Sequence, residues 1–278
     1  MGSMVFGAVA RLARVRVTMV YAGALLAVTV VLLVLGPFAQ DRVIEHASTN
    51  LHNLSHGHLG TLLGSAFVVD ARPIYIWLPG LVCLLALCET IFCSTRLIIA
   101  FAVGHIGATL LVAAGLTVAL EADLLSASVT RASDVGMSYG AIGVLGGLTT
   151  AIPQRWRPLW VGWWLGVAGA AAAVAHDFTN IGHGTALVLG MAVSTRFGRP
   201  GPWMPFRCVL LIVAMAFGFL VLANTVPAMV TGTASGALGA LLCARLARRR
   251  RVRRLLALSG TVADQSDAAP TDHACQRN

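Results

Sequence analysis

The stretch DVGMSYGAIGVLGGL, residues 134–148, is apolar enough to lie in a lipid bilayer, yet a serine stands between two glycines at its mouth, in Gly136-Met137-Ser138-Tyr139-Gly140. Its fold depends on its surroundings. The chain of 278 residues is 57% hydrophobic and 11% charged, with mean hydropathy +0.80. A soluble domain carries about 25% charged residues. Only helices or closed barrels satisfy their backbone in lipid. The apolar runs here are long and continuous, without the two-residue alternation of barrel strands. The fold class is therefore all-α, a polytopic transmembrane helical bundle.

Crossing the hydrocarbon takes about 20 helical residues. The sequence predicts spans at 17–36, 75–94, 97–120, 135–152, 158–175, 180–195, 205–223 and 226–245. The first apolar run is too long for a cleavable signal and no small-x-small site follows it. Arginine placement supports the count. Arg11, Arg14 and Arg16 precede the first span, and Arg96 lies between the second and third. Arg155 and Arg157 separate the fourth and fifth, and Arg196, Arg199 and Arg207 the sixth and seventh. The intervening loops carry Asp41, Glu45, Asp70, Glu121, Asp123, Asp134 and Asp177. The positive-inside rule then places both termini in the cytoplasm, with a bacterial plasma membrane as the expected location. Four parts follow: a basic cytoplasmic N-terminus (1–16), a six-helix membrane core (17–195), two further spans (196–245) and a basic, disordered cytoplasmic tail (246–278).

The net charge of +9 does not indicate nucleic acid, because of where it sits. All 20 basic residues are arginine, and seven fall in RLARRRRVRR, 245–254. That run suits anionic lipid headgroups beside a membrane helix. No CxxC pair or His/Cys ligand set appears, so neither a metal nor a cofactor is expected. His46, His52, His56 and His58 cluster in the first long loop, which reads as interfacial and partly re-entrant, with metal binding the lesser reading.

In this orientation Ser138 lies four residues below Asp134, about 6 Å deep, and His183 lies six below Asp177, about 9 Å deep. A serine hydroxyl needs a base to take its proton as it attacks, and histidine titrates near working pH. Gly136 and Gly140 would let the chain turn sharply into the helix and approach a substrate, and backbone N–H groups there would hold an oxyanion. His176, two turns before His183, is a rival base nearer the surface. Without the histidine, Ser138 reads as a packing serine. Ser235, in TGTASGALGALLCARL from Thr231, reads as a helix contact. Glu89 and His105 are expected near the inner ends of adjacent helices, paired in a structural role.

At these residues the sequence resembles the rhomboid family of intramembrane serine proteases. GMSYGAIGVLGGL looks like that family's GxS motif, and GHGTALVLG like its histidine helix, with Ala186 and Gly190 as the small residues that let the catalytic helices pack. ETIFCSTRLIIAFAVGHIGATLL, from Glu89, resembles the junction of the second and third core helices. HLGTLLGSAFV, from His58, resembles the segment entering the first loop. The likeness covers about residues 15–195 and implies a six-helix core, with Ser138 as nucleophile and His183 as base, cutting transmembrane substrates near their outer ends. Two departures stand out. Tyr139 follows the serine where the family has glycine. The second-helix His and Asn of the family's oxyanion site fall near Pro73 and Trp77. The alternatives are a catalytically inactive rhomboid-like scaffold holding a transmembrane client and, of another class, a small transporter using Glu89 and His105.

Overall fold

The structure, a computed structural model, describes residues 13–49, 51–57, 60–68, 74–126, 136–175 and 177–267. Among these there is no strand; every regular element is helical. A helix lies at each of the predicted spans: α1 (Arg16–Leu35), α5 (Ile74–Ile91), α6 (Ser94–Glu121), α7 (Ser138–Gly147), α8 (Arg157–Ala175), α9 (Phe178–Ser194), α10 (Pro205–Leu222) and α11 (Val226–Asp267). The long first connection holds three short helices, α2 (Pro37–Ala47), α3 (Leu51–Ser55) and α4 (Thr61–Gly64). Five helices, α1, α6, α8, α10 and the Val226–Arg250 part of α11, are long and apolar enough to cross a membrane.

The fourth span differs from expectation in length. It begins at Ser138 rather than 135 and runs for 10 residues before a 3-10 turn at Leu148–Thr150. It is also the centre of the bundle, because every residue from Tyr139 to Gly147 is buried. Glycine makes this possible. A methyl group on Gly190 of α9 would lie 2.0 Å from the Gly143 carbonyl oxygen, and one on Gly146 would lie 2.3 Å from the Leu187 carbonyl. On its other side, Gly143 meets Gly104 of α6 at similar closeness. Three backbones thus pack without intervening side chains, a common arrangement for helix association in lipid. Gly104 sits in a π-helical turn, Val103–Gly107, which interrupts α6 at this crossing.

One end of the bundle is tied by polar contacts. Glu89, near the C-terminus of α5, accepts from the Val17 and Thr18 amides at 3.0 and 2.9 Å, and from the Thr18 and Ser94 hydroxyls at 2.7 and 2.6 Å. A carboxylate at a helix N-terminus satisfies orphan amides and complements the helix dipole. The expected Glu89–His105 pair does not form. His105 lies eleven residues into α6, about 16 Å along its axis, and bonds elsewhere. At the same end, the Arg207 guanidinium donates to the carbonyls of Thr90 (2.6 Å) and Pro202. The Thr150 hydroxyl donates to the Ser194 carbonyl at 3.1 Å, and Arg157 to the Thr150 carbonyl at 3.0 Å.

The two helices after the core pack differently. α10 lies against α5, where the Phe217 ring occupies the space above Gly80. α11 lies along α8, so close that methyl groups on Gly162 and Gly166 would meet the Gly239 and Ser235 carbonyls at 2.2 and 2.3 Å. Ser235 is thus part of a helix contact. The tail departs from its expected disorder: α11 continues through the arginine run to Asp267. Arginine, alanine and leucine are strong helix formers, and a helix already nucleated in the membrane needs no new first turn.

Candidate active site at the mouth of the central helix

Ser138 is the first residue of α7 and is half-buried. From the tied end at Thr150, the 13 residues of α7 and its 3-10 turn rise about 20 Å. Asp134, from which the depth of Ser138 is reckoned in the sequence, lies outside the described residues. Gly136 supplies the turn into the helix with φ +119°, a conformation side chains rarely adopt. Its amide donates to the Ser65 carbonyl at 2.9 Å. Gly140 has another part: it is inside the helix, and a methyl group there would lie 2.4 Å from the Phe101 ring. It packs inside the helix and not in the loop before it. The first amides of an α-helix have no carbonyl partner within it, and in α7 these lie beside Ser138.

The segment that holds Gly136 is itself held. The Ser65 hydroxyl bonds His105 Nε2 at 3.1 Å, both groups being buried. The Tyr21 hydroxyl donates to the Ala66 carbonyl at 2.7 Å, and the Tyr21 ring stands edge-on to Phe67 and Phe101. His105 therefore anchors the first connection from the π turn of α6. His46 is exposed and bonds the Arg42 carbonyl of its own helix at 2.8 Å; His58 and the His52 side chain are outside the described residues. Among the described residues no cluster of three His, Cys, Asp or Glu is placed to hold a metal.

His183 lies in the second turn of α9 and is 4% exposed. Asp177 caps this helix, accepting from the Thr179 amide and from Asn180 Nδ2. Neither ring nitrogen of His183 has a hydrogen-bond partner, and the Asn180 oxygen, three residues earlier, also lacks one. Against His183 stands Tyr139, ring centroids 5.3 Å apart and planes at 85°. Gly182 gives the tyrosine its room, since a methyl group there would lie 2.3 Å from its hydroxyl. The structure thus brings α7 and α9 together through Gly143, Gly146, Gly190 and the buried Ala186, but joins Ser138 and His183 by no hydrogen bond. Trp77 packs against the core, half-buried; Pro73 and His176 lie outside the described residues. Sequence reasoning missed Ser65 and Asn180. The pairing of small Gly182 with large Tyr139 was the one available signal for the ring contact.

A short, fully buried, glycine-rich helix carrying a recessed serine, packed on a helix with a buried histidine, defines a polytopic membrane protein of rhomboid type. The sequence matches the rhomboid-like protein family over residues 10–198, and the chain belongs to that family. No curated protein matches it and no solved structure does. The matched region ends in the connection after α9, so α10 and α11 lie outside it.

Proposed function

We propose that the protein is an intramembrane serine protease with Ser138 as nucleophile and His183 as general base. One observation carries this reading. His183 has both ring nitrogens buried and unpartnered, on the helix packed against the one that Ser138 opens. Buried polar atoms are nearly always satisfied, and exceptions concentrate at functional sites. Catalytic hydrogen bonds are often long in free enzymes and tighten around substrate.

In this reading Ser138 Oγ attacks the scissile carbonyl carbon as its proton passes to a His183 nitrogen. Backbone amides at the start of α7 hold the oxyanion. The C–N bond breaks as His183 returns the proton to the departing amine. Water, deprotonated by His183, then releases the acyl group from Ser138. The recessed serine fits a transmembrane substrate cut near its outer end. The alternating arginines support both termini in the cytoplasm of a bacterial plasma membrane, Ser138 toward the outer side, and the arginine run among anionic headgroups.

A fluorophosphonate probe tests this. Purified protein is expected to label, and Ser138→Ala and His183→Ala to abolish labelling. Wild-type labelling that survives both substitutions refutes the dyad. A second reading, an inactive scaffold for transmembrane clients, is favoured by His183 making no hydrogen bond to Ser138 while its ring packs against Tyr139. It requires no labelling at all, and client capture indifferent to Ser138→Ala.

A further inference from the structure

The helices outside the family match form a cleft with the core. α8 and α10 approach closely at mid-height, where a methyl group on Gly218 would lie 3.4 Å from Trp164. The Trp163 and Phe219 rings also meet there, centroids 6.4 Å apart. Next to this contact the two helices leave a space. The space between them, about 480 Å³, is walled by Trp156, Trp160 and Trp163 on one side and by Trp203, Leu211 and Met215 on the other. Ala240 of α11 also lines it.

The tryptophans are held rather than loose. Trp203 Nε1 donates to the Ala151 carbonyl at 3.0 Å and Trp160 Nε1 to the Thr149 hydroxyl at 3.2 Å. At the rim, Trp156 is 52% exposed, with the Arg155 guanidinium 5.6 Å from its ring centroid. Among the described residues Arg155 makes no hydrogen bond or ion pair, whereas Arg157 and Arg207 are committed to carbonyls.

We propose that this cleft is a phospholipid site, with acyl chain between the tryptophan walls and phosphate on Arg155. The chemistry fits from both ends. The walls are apolar and rich in tryptophan, a side chain that favours the headgroup boundary. The rim supplies one cation, oriented by its ring contact, where a phosphate would lie. Basic pockets between membrane helices bind anionic headgroups in this way. The site is independent of the Ser138 reading, and it gives α10 and α11 a ligand that the core alone could not hold.

Cys208 lines the cleft, is exposed and is a free thiol; Cys93, also exposed and free, lies away from it. The test is site-resolved alkylation by N-ethylmaleimide of the full chain in detergent, with phosphatidylglycerol titrated in. The expected result is a saturable slowing at Cys208 of at least fivefold, with Cys93 unchanged. Arg155→Ala and Trp156→Ala, both at the rim, are expected to weaken it, while Arg248→Ala with Arg249→Ala, in the arginine run, leaves it intact. Inorganic phosphate alone is expected to give no protection. Equal protection of both cysteines, no protection, or protection indifferent to the rim variants overturns the proposal. So does protection that tracks dimer formation instead of lipid.

Discussion

Replacing Gly190 by alanine tests the packing on which the site depends. The added methyl group would stand 2.0 Å from the Gly143 carbonyl oxygen, 2.8 Å from its carbon and 3.1 Å from its Cα. An ordinary contact begins at about 3.4 Å, so α7 and α9 must part by more than 1 Å. No side-chain rotation relieves this, because every neighbour named is backbone. Overpacking costs about 1–3 kcal/mol, and a backbone obstacle belongs at the upper end. The same parting moves Ser138 relative to His183, and a misplacement of about 1 Å can slow chemistry about 100-fold. Thermal unfolding in detergent reads the first effect and fluorophosphonate labelling rate the second. Gly115→Ala in α6 is the control, since nothing lies within 4 Å of its added methyl group. Gly190→Ala with wild-type melting and labelling would refute the close-packed arrangement.

Other expectations follow from contacts already described. Gly115→Ala should raise stability by about 0.5–1 kcal/mol, because alanine costs less entropy in a helix, and chemical unfolding measures it. Glu89→Ala strips partners from two amides and two hydroxyls. A loss of about 3 kcal/mol or more is expected, with faster hydrogen exchange at Val17 and Thr18; Glu89→Gln should recover part of it. Ser65→Ala removes the His105 bond but leaves the Ser65 carbonyl. It should cost about 1–3 kcal/mol and increase exchange at the Gly136 amide; unchanged exchange would show that His105 does not anchor the turn.

Much of the bundle was legible because lipid imposes length and composition on any helix that crosses it. The runs at 17–36 and 205–223 were found nearly to the residue. The Ser138 and His183 helices were legible as neighbours from their glycines. What remained hidden was tertiary. Glu89 looked like a partner for His105 because both are polar in apolar helices; the loop that returns α1 to the end of α5 gives it amides instead. Gly140 looked like a loop glycine until Phe101 filled its space. The π turn in α6 has no composition of its own. The extension of α11 to Asp267 was missed because polarity was taken for disorder, although its residues favour helix.

The shortness of α7 bears on how the molecule is made. Ten residues, four of them glycine, are too few and too weakly helical to remain across a bilayer alone. Its membrane position depends on the backbones of α6 and α9, and α9 is synthesised later. A chain halted after α7 therefore holds a segment with no stable place in the bilayer. Ser138 takes its place only when α9 arrives, so the two helices of the candidate site form in one assembly step.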